Sequence, residues 1–247
     1  MLRKLTLCAF AIAGAAAVAH AANQFNDDDP GEGFDREDPA AIQRAHDIID
    51  RDFAGAVTLD QIPLRMRSFT LMNYQHLDPK REVPSDLLRD ALAYFDANKQ
   101  RFPNQAYITI VDFKKRSNVS RFFLINMETG AVEKYHTTHG IHSDENKDGY
   151  AERFGNVPNS GRSSLGFVRT AEVYNGKYNR SVRLDGLSTT NSKIRDRAIV
   201  FHGWDKVHEA NVIQGLSWGC ITLDWAVKDG VLDKIKEGSL MYVGVSQ

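Results

Sequence analysis

A mainly β, α+β fold with a helical preface and one late helix is the class this sequence predicts. Three observations carry it. Between residues 39 and 104 apolar residues recur at helical spacing, as at Ala41, Ile42, Ala45, Ile48, Ile49 and Phe53. After residue 105 the period shortens to that of strands, and the segments are broken by Gly and Asn turns. Late in the chain one stretch, "LDWAVKDGVLDKIKEG", returns to helical spacing.

The chain has 247 residues, which suits one moderate domain with a helical preface. Residues 1–21 read as an export signal: Arg3 and Lys4 supply positive charge, an apolar run comes next, and "AHA" (19–21) fits a small-x-small cleavage pattern. The apolar run is short for a membrane span, and no later segment approaches one. Residues 22–38, acidic and rich in Gly and Pro, read as a disordered lead-in with too little apolar surface to offset ordering. Residues 39–104 form the helical preface, expected to pack on the strand-rich remainder of the chain. Asp38 caps its first helix ahead of Pro39, and Ser85 is expected to cap a second with a stripe of Leu88, Ala91, Leu92 and Phe95.

Residues 105–247 are the predicted strand-rich domain. "AYITIVDF" opens it as a strand, and "METG" joins the next two as a hairpin. "SSLGFVRTAEVY", "RSVRLDGL" and "RAIVFHG" are further strands. The late helix starts at Asp224 and stops at Gly238, and "SLMYVGVSQ" closes as a strand.

The formal net charge of −1 leaves no basic footprint for nucleic acid and no excess for anionic lipid. Cleavage after Ala21 would remove Arg3, Lys4 and Cys8, leaving a mildly acidic chain with Cys220 as its one cysteine. An exported protein meets an oxidising compartment, where cysteines normally pair. A lone one is an inert buried thiol, an intermolecular linker or a nucleophile. The neighbours of Cys220 in "GLSWGC" must decide. His202 in "VFHGWD" ends an apolar strand at Gly203, and fourteen residues separate it from Ser217. A nearby base activates a thiol, and the glycine before the cysteine lets backbone amides turn toward a developing oxyanion.

"HG" at 202–203 and "SWGC" at 217–220, with "FGNVPNSGRSSLGF", "RLDGL" and "RAIVFHG", resemble the L,D-transpeptidase catalytic domain family, in its murein L,D-transpeptidase branch. The resemblance spans roughly residues 105 to 245. It implies a β-sandwich with the site at one end. Cys220 is then the nucleophile and His202 the base, with the Gly203 carbonyl orienting the imidazole. Gly219 and Cys220 supply oxyanion amides, and Ser217 fixes the loop. Trp218 stands where many members carry a basic residue, and Thr222 where many carry arginine. The implied substrate is a peptidoglycan tetrapeptide stem, handled by an exported monomer with no cofactor or metal. Its acyl group would pass to a stem amine or, in a carboxypeptidase, to water. A non-catalytic wall-binding protein of the same fold is the reading from another class.

Arg183 and Asp185 in "RLDG" either bind charged ends of a peptide or form an ion pair at a turn. Tyr174 and Tyr178 read as exposed hairpin tyrosines. His136, His139 and His142 with Asp144 and Asp148 suggest a metal cluster. However, a spacing of three sends neighbouring histidines to opposite faces of a strand, and Gly155 replaces the closing acid of a calcium loop. A polar loop bordering the cleft is the better reading, with His139–Gly140 similar to a second "HG" of the family and placed among the substrate-binding residues.

Overall fold

The computed structural model describes residues 35–247. The signal segment, Cys8 and most of the lead-in lie outside the described residues. Only the last four lead-in residues, 35–38, are within them, and these are extended and pinned by side-chain contacts. No helix among the described residues is long and apolar enough to cross a membrane.

Three helices precede the sheet. The first, α1 (Pro39–Asp52), is capped by Asp38, whose carboxylate accepts the Ala41 N–H at 2.9 Å. α2 (Leu64–Asn73) has no counterpart in the sequence reading. Its Leu64, Met66, Phe69 and Met72 are scattered around the helix and exposed, so no apolar stripe announces it. α3 (Ser85–Asn98) begins one residue earlier than expected: Pro84, not Ser85, is the cap, and Ser85 is the first helical residue. It buries Leu88, Leu92 and Phe95, the stripe read from the sequence.

Ten strands complete the chain. They are β1 (Tyr107–Asp112), β2 (Phe122–Asn126), β3 (Val132–Tyr135), β4 (His139–Gly140), β5 (Gly166–Gly176), β6 (Asn179–Gly186), β7 (Val200–Gly203), β8 (Leu216–Ser217), β9 (Ile221–Leu223) and, after α4 (Trp225–Ile235), β10 (Leu240–Gly244). Eight of them make one mixed sheet in the order β3-β2-β1-β10-β5-β6-β7-β9; β4 and β8 pair separately and in parallel. β2 and β3 form the expected hairpin, with Gly130 at φ 75° closing its turn.

The large sheet is bent back on itself. β2 and β7 are five strand steps apart in its order, about 24 Å if it were flat. Yet the rings of Phe122 and Phe201 are centred 6.0 Å apart. The two halves therefore enclose one core, sandwich-fashion, with Val111, Leu124, Val182, Leu184 and Phe201 meeting Val231, Leu232 and Ile235 of α4. A second core lies on the outer face, where α3 covers Ile108, Ile110, Phe123 and Leu240. The fold is thus α+β and mainly sheet, as the period change at residue 105 predicts. The Asp224 carboxylate caps α4 through the Ala226 N–H, and the helix ends at Ile235. Gly238 lies just beyond it at φ 103°, where an added Cβ would stand 2.6 Å from Pro103.

Candidate active site

β7 and β9 run parallel and side by side, with Phe201 opposite Ile221 and His202 opposite Thr222. Phe201 and Ile221 point into the inner core. Strand side chains alternate, so His202 and Cys220, one residue to either side of that pair, project together from the other face. Arg183 of β6 is opposite Val200 of β7, and the charge of Arg183 and a Val200 backbone hydrogen bond both reach the Cys220 thiol. Three candidates distant in sequence are thereby brought to neighbouring strands β6, β7 and the start of β9.

His202 is 3% exposed and its Nδ1 lies 2.8 Å from the Gly203 carbonyl oxygen. A carbonyl only accepts, so Nδ1 carries the proton and Nε2 is left as the basic nitrogen. Gly203 has a second role, because a Cβ there would stand 2.3 Å from the Trp225 ring. Tyr178 stacks on the imidazole, centroids 4.0 Å apart and planes 20° from parallel. This corrects the reading of Tyr178 as an exposed hairpin residue: the β5–β6 hairpin folds its tip over His202.

Burial pushes the imidazole down to about 4, with the Gly203 carbonyl pulling the other way. An unfolded histidine titrates near 6.5. Between these values the unfolded chain binds a proton that the folded chain refuses. The stability due to neutral His202 is therefore complete above about pH 6.5 and is lost as pH falls toward 4, about 3 kcal/mol in all. Urea unfolding of wild type and His202→Gln at pH 7 and 4.5 should show the stability gap between them narrowing at the lower pH. A gap independent of pH would contradict the buried neutral ring.

Cys220 is 5% exposed and its thiol donates to the Ala198 carbonyl at 3.9 Å. Burial pushes the thiol up to about 11, against the Val200 backbone hydrogen bond and the positive charge of Arg197. Nothing in the sequence distinguishes Arg197, which reads there as one basic residue before a strand. Its guanidinium is held by the carbonyls of Gly155 and Arg162 and by the Ser164 hydroxyl. Positive charge near the thiol thus comes from Arg197 and Arg183, not from positions 218 and 222. Thr222 instead exchanges a 2.8 Å hydrogen bond with Thr138, whose hydroxyl also lies 3.2 Å from the Cys220 carbonyl.

The loop before Cys220 is fixed by Ser217. Its hydroxyl donates to the Cys220 carbonyl at 2.8 Å and accepts the Gly219 N–H at 3.1 Å. The Gly219 amide is therefore engaged in the loop, and Gly219 serves through its backbone shape. Its φ is 110°, and an added Cβ would stand 2.6 Å from the Arg162 carbonyl oxygen. Trp218 meets His142 edge to face at 5.8 Å and packs over Gly161.

His139 does not face the cleft. It is fully buried, its Nδ1 accepting from Arg121 at 2.7 Å and its Nε2 lying 3.2 Å from Asp144. It serves the site through its backbone, because β4 pairs with β8 and the His139 carbonyl lies 3.3 Å from the Ser217 hydroxyl. The neighbouring histidines go elsewhere: His136 to Glu209, and His142 to Trp218. Among the described residues no group of three His, Cys, Asp or Glu is placed to hold a metal. Asp185 pairs with Arg169 and Arg195, while Arg183 lies over the Tyr174 ring at 3.7 Å and contacts Asp35 and Glu37.

A family model described as L,D-transpeptidase catalytic domain matches residues 79–243, which includes α3 as well as the sheet. Solved structures with some likeness include an L,D-transpeptidase from Mycobacterium smegmatis, 13% identical over 56% of this chain and 58% of that one, with a TM-score of 0.35. An L,D-transpeptidase from Xylanimonas cellulosilytica is 15% identical over 61% and 67%, TM-score 0.34. One from Stackebrandtia nassauensis is 9% identical over 81% and 90%, TM-score 0.35. The chain spans less than two thirds of the length of the first of these. No curated protein matches the chain.

Proposed function

The chain belongs to the L,D-transpeptidase catalytic domain family, and on that premise we propose that it is an exported cysteine acyl-transferase acting on peptidoglycan tetrapeptide stems. The observation that carries the proposal is the shared face of His202 and Cys220, with the Gly203 carbonyl holding the imidazole in the tautomer a base requires.

In the proposed reaction, Nε2 of His202 takes the thiol proton as Sγ of Cys220 attacks the carbonyl carbon of the third stem residue. The oxyanion forms beside the Cys220 amide. Collapse breaks the peptide bond to the terminal D-alanine, which leaves as the amine with the proton from His202, and a thioester remains. The amine of a neighbouring stem then attacks the thioester, giving up its proton to His202 and restoring the thiol. The product is a 3-3 cross-link. With water as acceptor the same steps give an L,D-carboxypeptidase. None of these steps uses a cofactor.

Mass spectrometry after incubation with purified tetrapeptide muropeptides tests the proposal. Dimers that have lost one D-alanine are the expected product. Tripeptide monomers alone would assign the hydrolase, and unchanged tetrapeptide would refute both.

A further inference from the structure

The residues just before α1 lie across the site. In residues 35–38 burial alternates, Asp35 and Glu37 facing inward and Arg36 and Asp38 outward, the pattern of an extended peptide on a surface. Both Asp35 carboxylate oxygens accept the Lys177 N–H at 2.9 Å, and the Tyr174 hydroxyl donates to one of them at 3.3 Å. The Asp35 backbone carbonyl accepts from Arg183 at 2.5 Å. Glu37 lies 2.6 Å from Arg195 and 3.6 Å from Arg183. Tyr174 and Lys177 belong to the hairpin whose Tyr178 covers His202, and the charge of Arg183 reaches the Cys220 thiol. The segment is thus bound as a peptide ligand would be, by one main-chain carbonyl and two carboxylates, beside the two groups proposed to react.

We propose that residues 35–38 fill the acyl-donor groove in cis, and that Lys177 N–H, the Tyr174 hydroxyl and Arg183 form a subsite for an acidic peptide, which Asp35 now occupies. The proposal rests on the reading of Cys220 and His202 as the reacting pair. A tetrapeptide stem ends in a carboxylate next to the bond that reading breaks, so it presents the same two features, a carbonyl and a nearby carboxylate. A substrate must then displace the segment before it reaches the thiol. Burial is the main cause that keeps both His202 and Cys220 neutral, and the charge of Asp35 adds to the rise of the Cys220 thiol while opposing the fall of the His202 imidazole.

Acetyl-D-alanine, with one carbonyl and one carboxylate, is the probe, and calorimetric titration is the measurement. Asp35→Ala should bind it at least tenfold more tightly than wild type, whose groove is filled. Tyr174→Phe in the Asp35→Ala background keeps the ring beneath Arg183 but removes the hydroxyl, and it should lose most of that gain. Saturating probe should slow iodoacetamide alkylation of Cys220 in Asp35→Ala and leave wild type unchanged. Equal binding by wild type and Asp35→Ala would overturn the proposal. So would a gain that survives Tyr174→Phe, or binding without protection of Cys220. Neither measurement needs turnover, so the assignment of the reaction can fail in the muropeptide assay while this result stands, and the reverse also holds.

Discussion

Cys220→Ala is expected to leave the fold intact and to remove turnover on tetrapeptide muropeptides, by at least about a thousandfold, the scale on which loss of a nucleophile acts. The side chain contributes little to packing: it is one sulfur atom whose hydrogen bond is a long contact to Ala198. Its removal should cost about 1 kcal/mol of stability, small beside the loss of activity. Cys220→Ser tests the chemistry more finely. A hydroxyl at this position keeps the Ala198 carbonyl as a partner but is far harder to ionise than a thiol, so it should be equally inactive. The pair His202 and Cys220 is neutral in the filled groove, the thiol raised by burial and the imidazole lowered by it. The proton must therefore move during attack, and His202→Ala should also reduce turnover severely. Retention of wild-type rates by either cysteine variant, with mass-verified protein, would remove Cys220 from the mechanism.

What could be read in the sequence divides by the range of the interactions involved. Asp38 and Asp224 were legible as caps because a cap is made with the N–H groups two or three residues on. The two cores were legible as periods, and Cys220 and His202, the proposed nucleophile and base, stand out as short motifs next to strand ends. α2 was not, because its exposed apolar residues form no stripe. Residues 35–38 read as lead-in because an acidic, Gly- and Pro-rich run has no local partner. The partner of Asp35 is the Lys177 amide, 142 residues away. His139 drew attention as a polar residue in a loop. That it is sealed in the interior depends on Arg121, which in sequence is a single charge before "FFLIN" and gives no sign of burial.

Arg121→Leu is expected to destabilise the fold by about 3–5 kcal/mol, a large share of the total stability of an ordinary domain. The guanidinium is completely buried. It donates twice to the Thr137 carbonyl, at 3.0 and 2.7 Å, once to the Lys115 carbonyl at 3.1 Å and once to Nδ1 of His139 at 2.7 Å. Desolvation lowers it to about 9, and the charges of Asp112 and Asp144 support it, so it stays protonated at neutral pH. Leucine fills part of the volume but leaves two carbonyls and an imidazole nitrogen without donors, each at about 1–3 kcal/mol. Asp144 loses its cationic neighbour as well. The damage should reach the site by a short path: Arg121 holds Thr137 and His139, β4 pairs with β8, and Ser217 at the end of β8 fixes the Gly219–Cys220 turn. Arg121→Lys keeps a charge without the planar fork that reaches both carbonyls and the ring, so it should recover only part of the loss. Urea unfolding at neutral pH measures the stability, and iodoacetamide labelling of Cys220 under native conditions measures the loop, which should label faster in both variants. A loss below about 1 kcal/mol in Arg121→Leu would mean that this buried network contributes no more than a typical hydrogen bond, and that the strands around His139 are held by their hydrophobic contacts instead.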